Sequence, residues 1–209
     1  MILGIDTGGK TCSVALLDDV LLGEYSVYSA KTHSQTLMPM IEKLINDCGK
    51  SLKDIKKIAV SIGPGSYTGL RIGISSAKGL AFGLGINCIS VPALTALTYN
   101  VNIKAVAIMK ARANLVYSTG ATENDCIIDK EELFEKIKAI QENSDIYLVG
   151  DGAKEFYEQY PLENLHLAPD HLLLQKASSV CYCAKINEER DTVSPFELKP
   201  VYLQEFKLG

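Results

Sequence analysis

The segment from Gly4 to Thr11 has residue types and spacing that could hold phosphate. It matches the P-loop pattern G-x-x-x-x-G-K-[ST] at every position, and in true P-loops the backbone amides at a helix N-terminus cradle the anion. The residues that follow, 12 to 17, are mostly apolar and predict a strand instead of a helix. Asp6 would also place a carboxylate inside the phosphate nest, so the P-loop interpretation is disfavoured.

The same residues suit another phosphate-binding arrangement. In the first phosphate loop of actin-like ATPases a strand ends in aspartate and a hairpin follows, so that turn amides approach phosphate while the aspartate faces a magnesium ion. Asp6, Thr7 and Gly8 stand at these positions. An ordinary hairpin, in which Gly8 and Gly9 supply positive φ, explains the spacing equally well. Both interpretations stay open at this point.

The most distinctive stretch runs from residue 63 to 73 and reads Gly-Pro-Gly-Ser-Tyr-Thr-Gly-Leu-Arg-Ile-Gly. It lies between a buried-type strand and a helix, which predicts a tight turn followed by a helix cap. A cation in the first helical turn opposes the helix dipole unless it meets an anion or a partner. The motif residues that we single out are Gly63, Pro64, Gly65, Ser66, Thr68 and Arg71.

Glycines recur within the helix that follows this turn. Gly69 and Gly73 are four residues apart, as are Gly79 and Gly83, and each costs up to about 1 kcal/mol relative to alanine in a helix interior. That cost predicts close approach of another helix or backbone along the face that carries Gly69 and Gly73. Packing within one domain and contact with another molecule explain it equally well.

Histidine and cysteine spacing argues against metal chemistry. None of the three histidines pairs at i, i+4, and H-E-x-x-H is absent, so a zinc hydrolase is disfavoured. The six cysteines include no C-x-x-C and mostly lie in apolar runs, which predicts buried reduced thiols. His33 lies just before a predicted helix and is expected to be a cap or a packed ring.

Composition places the chain among soluble globular proteins. Its 209 residues are 47% hydrophobic and 22% charged, which rules out a disordered tail, a collagen or a coiled-coil rod. With a net charge of −4, the chain is not expected to bind a nucleic acid by itself, because neutralising the phosphates needs clustered Lys and Arg. We expect no membrane span and no signal peptide, and therefore a cytoplasmic protein.

Apolar periodicity predicts the elements that must position these residues. The first half is expected to form an antiparallel meander and then alternate helices with strands. Its predicted strands are 2–5, 12–17, 21–29, 57–62 and 87–91, and its predicted helices are 34–48, 68–84 and one opened by Pro92.

The second half changes character near residue 101, so we expect domains at 1–100 and 101–209. Its predicted strands are 103–109, 115–119 and 146–149, and its predicted helices are 129–141, one after residue 152 and a last long one from 170 or 171. The tail, 194–209, is expected to be extended and could return to the first domain. The mixture predicts an α/β protein of two sub-domains, with no repeat at a fixed period of 20 to 50 residues.

Together these residues resemble the TsaB (YeaZ) family of bacterial tRNA threonylcarbamoyladenosine biosynthesis. The resemblance is firm over about residues 2 to 100 and thinner beyond. It rests on Ile5-Asp6-Thr7, on His33 with Leu37 and Pro39, on the glycine-rich stretch 63–73, and on Lys78-Gly79-Leu80-Ala81. Weaker matches are Ala111-Arg112, Val116-Tyr117, Gly150-Asp151-Gly152 and Pro200-Val201-Tyr202-Leu203.

Two residues depart from the family pattern. Tyr67 stands where the family usually has phenylalanine, which adds a hydroxyl. Lys110 stands where the family usually has aspartate, which reverses a charge. In the strand-turn-strand interpretation Lys110 and Arg112 point the same way and repel each other unless an acid intervenes.

The resemblance implies an actin-like ATPase (ASKHA, ribonuclease H-like) fold with a reduced second sub-domain. It implies a non-catalytic partner of a TsaD-like transferase, which threonylcarbamoylates the tRNA adenosine next to the anticodon. TsaD-like proteins bind metal through a histidine pair, whereas residues 91–97 at the matching place contain no histidine. Catalysis by this chain alone is therefore not expected.

The resemblance also implies partners and an interface. A TsaE-like ATPase would join the assembly, tRNA would be bound indirectly through the complex, and the isolated chain would form a homodimer. The interface is expected on the helices 34–48 and 68–84, with residues His33, Leu37, Met40, Ile41, Leu44, Gly69, Leu70, Gly73, Ile74 and Ala77.

No metal or cofactor is expected. Asp6, Thr7 and Gly8 would form a vestigial phosphate loop, and ATP or ADP would bind only at an interface with a partner. The alternative is a small actin-like kinase or ATPase that uses this loop together with residues 150–152. A metallopeptidase is disfavoured by the histidine count.

Overall fold

Two mixed β-sheets organise the chain in the computed structural model, which describes residues 1–28, 32–141 and 144–203. The strands, in chain order, are β1 (Ile2–Asp6), β2 (Thr11–Leu17), β3 (Leu21–Tyr28), β4 (Lys57–Gly63), β5 (Cys88–Pro92), β6 (Ala105–Lys110), β7 (Leu115–Thr119), β8 (Cys126–Asp129), β9 (Ile146–Val149), β10 (Leu165–Leu167) and β11 (Thr192–Val193). The predicted third strand ended at Ser29, which lies outside the described residues.

The two sheets share one topology. The first has the order β11-β5-β4-β1-β2-β3 and the second the order β10-β9-β6-β7-β8. In each, a three-stranded antiparallel meander is followed by two strands that add in parallel beside its first strand. The chain therefore consists of two lobes that repeat the same fold, a duplication that no fixed-period sequence repeat revealed.

The helices occupy equivalent places in the two lobes, and those of the second lobe are shorter. α1 and α4 follow the meanders, and α2 and α5 lie between the parallel strands. α2 has 18 residues and α5 only 7, so the second lobe is reduced as predicted. The helices are α1 (His33–Asp47), α2 (Tyr67–Leu84), α3 (Ala93–Thr98), α4 (Lys130–Gln141), α5 (Ala153–Gln159), α6 (Asp170–Leu173), α7 (Ala177–Ile186) and α8 (Glu188–Asp191), with a 3-10 turn at Leu52–Asp54.

Local signals explain where these helices begin and end. The Ser66 hydroxyl accepts a hydrogen bond from the amide of Gly69 at 3.2 Å and so caps α2. Gly85, in the left-handed region, ends the same helix. The Asp129 carboxylate accepts a hydrogen bond from the amide of Glu131 and caps α4. No helix in the described part of the chain has the length and apolar composition needed to cross a bilayer.

The C-terminal part of the chain returns to the first lobe. α7 packs on β1 and β2, on the sheet face opposite α1 and α2, with Val180 and Cys181 fully buried. β11 pairs with the edge strand β5. Residues 177–193 therefore pack on the first sheet instead of the second, and the boundary expected at residue 100 describes only where the chain first leaves the first sheet.

The predicted long helix from residue 170 is wrong, because it is broken into α6 and α7. The carbonyls of Leu172 and Leu174 both accept hydrogen bonds from the side-chain amide of Asn100, at 2.6 and 2.9 Å. The Leu173 carbonyl accepts from the amide of Gly150. With these carbonyls engaged by distant partners, the backbone at 174–176 leaves the helix.

Polar side chains from the first sheet hold the start of α7. The Ser13 hydroxyl accepts a hydrogen bond from the amide of Ala177 at 2.9 Å, and the Glu24 carboxylate accepts from the amide of Ser178 at 2.8 Å. These bonds satisfy two of the amides that a helix N-terminus leaves unpaired. They fix the register of the returning helix on the sheet.

Candidate functional site

Four loops, two from each lobe, line a cleft of about 560 Å³. The loops after β1 and β4 face those after β6 and β9, which stand at equivalent places in the repeated fold. Cleft residues from these loops are Gly8, Gly9, Lys10, Gly65, Ser66, Lys110, Ala111, Arg112 and Asp151, and Gln175 adds a buried side chain. Of the residues expected to form a phosphate loop, Gly8 lines the cleft, and Asp6 and Thr7 are buried.

Asp6 ends β1 beneath this cleft and is 1% exposed. Burial raises the pKa of its carboxyl from 3.8 to about 6, although the hydrogen bond from the Gly8 amide, at 2.9 Å, opposes that rise. The strand Thr11–Leu17 follows the loop, so the P-loop interpretation is excluded because no helix begins there. The arrangement is a strand–turn–strand hairpin as predicted, but the expectation that Gly8 and Gly9 supply positive φ is wrong, because neither has a positive φ.

The glycine-rich turn packs directly against this hairpin. The Ser66 amide donates to the Gly8 carbonyl at 2.7 Å, and a Cβ at Gly65 would overlap the same carbonyl. The Thr7 hydroxyl donates to the Gly69 carbonyl at 2.7 Å, and a Cβ at Gly69 would overlap the Thr7 backbone. Gly69 and Gly73 therefore serve contact within the lobe, whereas Gly79 and Gly83 do not.

Lys110 ends β6, the position in the second lobe that corresponds to Asp6 in the first. Its amide donates to the Asp151 carboxylate at 2.9 Å, and its ammonium pairs with Glu155 at 2.8 Å. Glu155 also pairs with the largely buried Lys130, and these two lysines lower the pKa of the Glu155 carboxyl to about 2. An acid therefore does stand beside Lys110, and the reversed charge is neutralised inside the second lobe.

The side chain of Gln175 lies against the first turn of the cleft. Gln175 is 5% exposed, and its carboxamide oxygen lies so close to Gly9 that a Cβ there would be only 2.5 Å from it. A polar acceptor from the chain itself therefore stands beside this turn. Among the residues that the structure describes, no group of three or more His, Cys, Asp or Glu is placed to hold a metal ion.

His33 connects α1 to the cleft hairpin. Its Nε2 lies 3.0 Å from the Gly9 carbonyl oxygen, and it is neither an N-cap nor a fully packed ring. The first turn of α1 is thereby tied to the loop that carries Gly8. Sequence spacing alone could not place the two together, because 24 residues separate them.

The predicted interface residues lie inside the chain. All except His33 are buried, because the apolar stripes of α1 and α2 pack on β1, β2 and β4. Leu44 and Ile74 are 2% and 4% exposed. The choice of these side chains as a contact surface is therefore wrong, and any interface on these helices must use their outer faces.

The outer faces of α2 have two different characters. With about 100° between successive residues, one stripe carries Thr68, Ile72, Ser76, Gly79 and Gly83. We call it the small-residue stripe. Neither Gly79 nor Gly83 has any atom within 4 Å of an added Cβ. The neighbouring stripe carries Tyr67, Arg71 and Phe82, and there the Arg71 guanidinium stacks over the Tyr67 ring at 4.0 Å.

The remaining motif residues also find places in this region. Gly63 has a φ of 122° and its peptide bond to Pro64 is cis. Arg71, which needed an anion or a partner, donates from Nε to the Tyr202 hydroxyl at 3.3 Å. Sequence reasoning missed Gln175, which reaches this region from far along the chain and carries no local signal. Tyr202 belongs to the weak family match at 200–203, but its contact with Arg71 was not predicted.

Comparisons with known proteins agree with this architecture. The family model described as TsaD, tRNA N6-adenosine threonylcarbamoyltransferase, matches residues 27–160. The TsaB protein of Bacillus subtilis is 46% identical over 100 residues, which are 47% of this chain and 44% of that protein. The TsaB protein of Escherichia coli is 30% identical over 219 residues, covering 97% of this chain and 94% of that protein.

A solved structure extends the agreement to three dimensions. YeaZ from Pseudomonas aeruginosa superimposes with a TM-score of 0.82 at 26% identity, covering 97% of this chain and 99% of that one. The duplicated α/β lobes around a cleft confirm the predicted actin-like fold. The chain belongs to the TsaB family of tRNA threonylcarbamoyladenosine biosynthesis proteins.

Proposed function

We propose that this chain serves tRNA threonylcarbamoyladenosine synthesis as a non-catalytic partner of a TsaD-like transferase. Membership of the TsaB family carries the proposal. The cleft supports it, because Asp6 and Asp151 each accept a hydrogen bond from a nearby backbone amide and Gln175 fills the space beside the first turn. The complex would work in the cytoplasm, with a TsaE-like ATPase as third member, and would hold the tRNA that this acidic chain does not bind alone.

The contact with the transferase is assigned to the small-residue stripe of α2 and the exposed edge of α1. Exposed glycines allow a second helix to approach closely, as in small-residue helix contacts generally. Ile72 belongs to the stripe, Leu80 flanks it, and Met38 of α1 lines the same groove as Leu80, so apolar area is available beside the glycines. The outer surface of these helices thus replaces the buried residues chosen from the sequence.

The experiment is co-purification of the chain with the TsaD-like transferase of the same organism, using Gly79→Glu. We expect complex formation to be lost, because the longer side chain projects into the space that a partner helix would need. Folding should survive, because a non-glycine residue gains up to about 1 kcal/mol of helix propensity at this open site.

Ala139→Glu on α4 is the matched control, since Ala139 is an exposed helical residue on the other lobe. It should co-purify like the wild type. Wild-type binding by Gly79→Glu would show that the partner uses another surface, and loss of binding by both variants would point to charge instead of position.

Nucleotide binding separates this proposal from the alternative of a small actin-like kinase or ATPase. Isothermal titration of the isolated chain with Mg-ATP should give no binding heat, because Gln175 occupies the turn. Micromolar affinity with turnover, abolished by Asp6→Ala, would overturn the non-catalytic assignment. ADP or ATP bound only by the assembled complex would agree with it.

A further inference from the structure

The C-terminal residues 194–203 form a strap that lies along α2. The Phe196 ring meets the Phe82 ring edge-on at 5.8 Å, and the Tyr202 ring stacks on the Tyr67 ring at 5.4 Å. Tyr67 and Phe82 are fifteen residues apart in one helix, which corresponds to about 22 Å. The strap therefore runs antiparallel to α2 and is held at both ends of it.

The end of β4, at Ile62 and Gly63, contacts the backbone of the strap at Val201. The Val201 amide donates to the Ile62 carbonyl at 2.8 Å. A Cβ at Gly63 would overlap the Val201 carbonyl oxygen, so only glycine lets the strap lie this close. Tyr202 adds its stacking on Tyr67 and the hydrogen bond from Arg71.

Anchoring along the strap is uneven. Leu198 is 1% exposed and belongs to the core of the first lobe. Beyond it, Val201 and Tyr202 remain 40% and 39% exposed, and Leu203 packs against the cluster that joins α3 to β6. The side chains of Val201 and Tyr202 are therefore less buried than that of Leu198, which attaches the strap to the first lobe.

The turn that contacts the strap, residues 63–66, also forms part of the cleft wall. The turn 63–66 has Val201 on one side and the Gly8 carbonyl, which accepts from the Ser66 amide, on the other. Arg71 and Gly69 then lie in the first turn of α2, where the Thr7 hydroxyl reaches the Gly69 carbonyl. A continuous set of contacts thus joins the strap to the hairpin that lines the cleft.

We propose that the strap is a latch that clamps the glycine-rich turn against the cleft hairpin. While Tyr202 is docked, the turn cannot move away from Gly8, and the cleft wall is fixed. When residues 199–203 lift, the turn loses its support from behind and the hydrogen bond from Ser66 to Gly8 opens more often. The small-residue stripe lies about 100° around α2 from the strap and stays uncovered in both states.

Hydrogen exchange of the full-length chain, followed by mass spectrometry, tests the latch. In Tyr202→Ala we expect the peptides covering residues 7–9 and 63–72 to exchange at least several-fold faster than in the wild type. Peptides covering β6 and β9 should be unchanged, which also shows that the variant is folded. The matched control is Tyr182→Ala on α7, because Tyr182 is likewise 39% exposed, and it should leave residues 7–9 unaffected.

Two results would overturn the proposal. Faster exchange confined to residues 199–203 would mean that the strap does not stabilise the glycine-rich turn. An equal effect of Tyr182→Ala would mean that the response is not specific to the strap. Arg71→Ala should show the same pattern to a smaller extent, because it removes the hydrogen bond to Tyr202 but not the stacking of Tyr202 on Tyr67. The double variant should not exceed Tyr202→Ala, because that substitution already removes the shared contact. Additive effects would contradict a shared latch.

Discussion

At the scale of single residues, the surroundings of the Asp6 carboxyl disfavour its charged form. It is almost fully buried and receives one short hydrogen bond from the Gly8 amide, while its pKa stands near 6. A buried acid with a raised pKa destabilises the folded state once it is ionised. Its retention at the floor of a cleft is therefore costly at neutral pH.

Asp6→Asn should stabilise the protein in a pH-dependent way. Well below pH 4 the carboxyl is protonated in both the folded and the unfolded wild type, and the two proteins should unfold alike. Between about pH 4 and pH 6 the unfolded wild type ionises before the folded state does, so the variant should become more stable by on the order of 3 kcal/mol, at 1.36 kcal/mol per pKa unit, and the gap should stay constant above pH 6. Urea unfolding at pH 4 and pH 8 measures this, and a gap that does not widen with pH would refute it.

Two glycines of α2 should respond oppositely to alanine. In Gly73→Ala the new Cβ overlaps the Thr7 hydroxyl, which is held by the Gly69 carbonyl. Overpacking of this kind costs about 1–3 kcal/mol, more than the helix propensity gained. Gly79→Ala meets no atom and should stabilise by up to about 1 kcal/mol. Equal midpoints of urea unfolding for the two variants would contradict the packing described here.

At the scale of elements, α7 is placed by the bonds at its first turn more than by its own sequence. Its apolar residues pack on β1 and β2, but its register depends on Ser13 and Glu24 from the sheet. The predicted helix ran through residues 174–176 because the break depends on Asn100, more than seventy positions away. No local pattern contains that information.

Ser13→Ala should destabilise α7 and the whole protein. It leaves the amide of Ala177 buried without an acceptor, which costs about 1–3 kcal/mol. Ser118→Ala is the control, because Ser118 is equally buried but its hydroxyl has no hydrogen-bond partner, and it should be nearly neutral. Thermal denaturation with amide exchange of α7 distinguishes them, and equal losses in both variants would rule out the capping role.

How far the sequence predicts an element depends on how local its determinants are. The hairpin at Asp6, a cap at the start of α2 and the helices 34–48 and 68–84 were confirmed because neighbouring residues specify them. The contact surface was wrong because an apolar stripe such as that with Leu44 indicates a covered face without indicating what covers it. The structure shows that the sheet of the same chain covers it.

At the scale of the whole molecule, the outer faces of α1 and α2 are the surface on which isolated chains are expected to pair. Sedimentation velocity of the wild type should show a concentration-dependent dimer, while Gly79→Glu should sediment as a monomer and Ala139→Glu as the wild type. A two-fold pair would place the same stripe on both copies. A wild type that stays monomeric at high concentration would contradict the expected homodimer.

The return of α7 to the first sheet has a consequence for synthesis of the protein on the ribosome. The sheet face that α7 covers, with Ile2, Ala15 and Leu17, is translated within the first part of the chain, but its cover follows only after the entire second lobe. At about 5–20 residues per second, that apolar face remains uncovered for several seconds or more before α7 is synthesised. The nascent first lobe should therefore be a chaperone client until its C-terminal segment emerges from the exit tunnel.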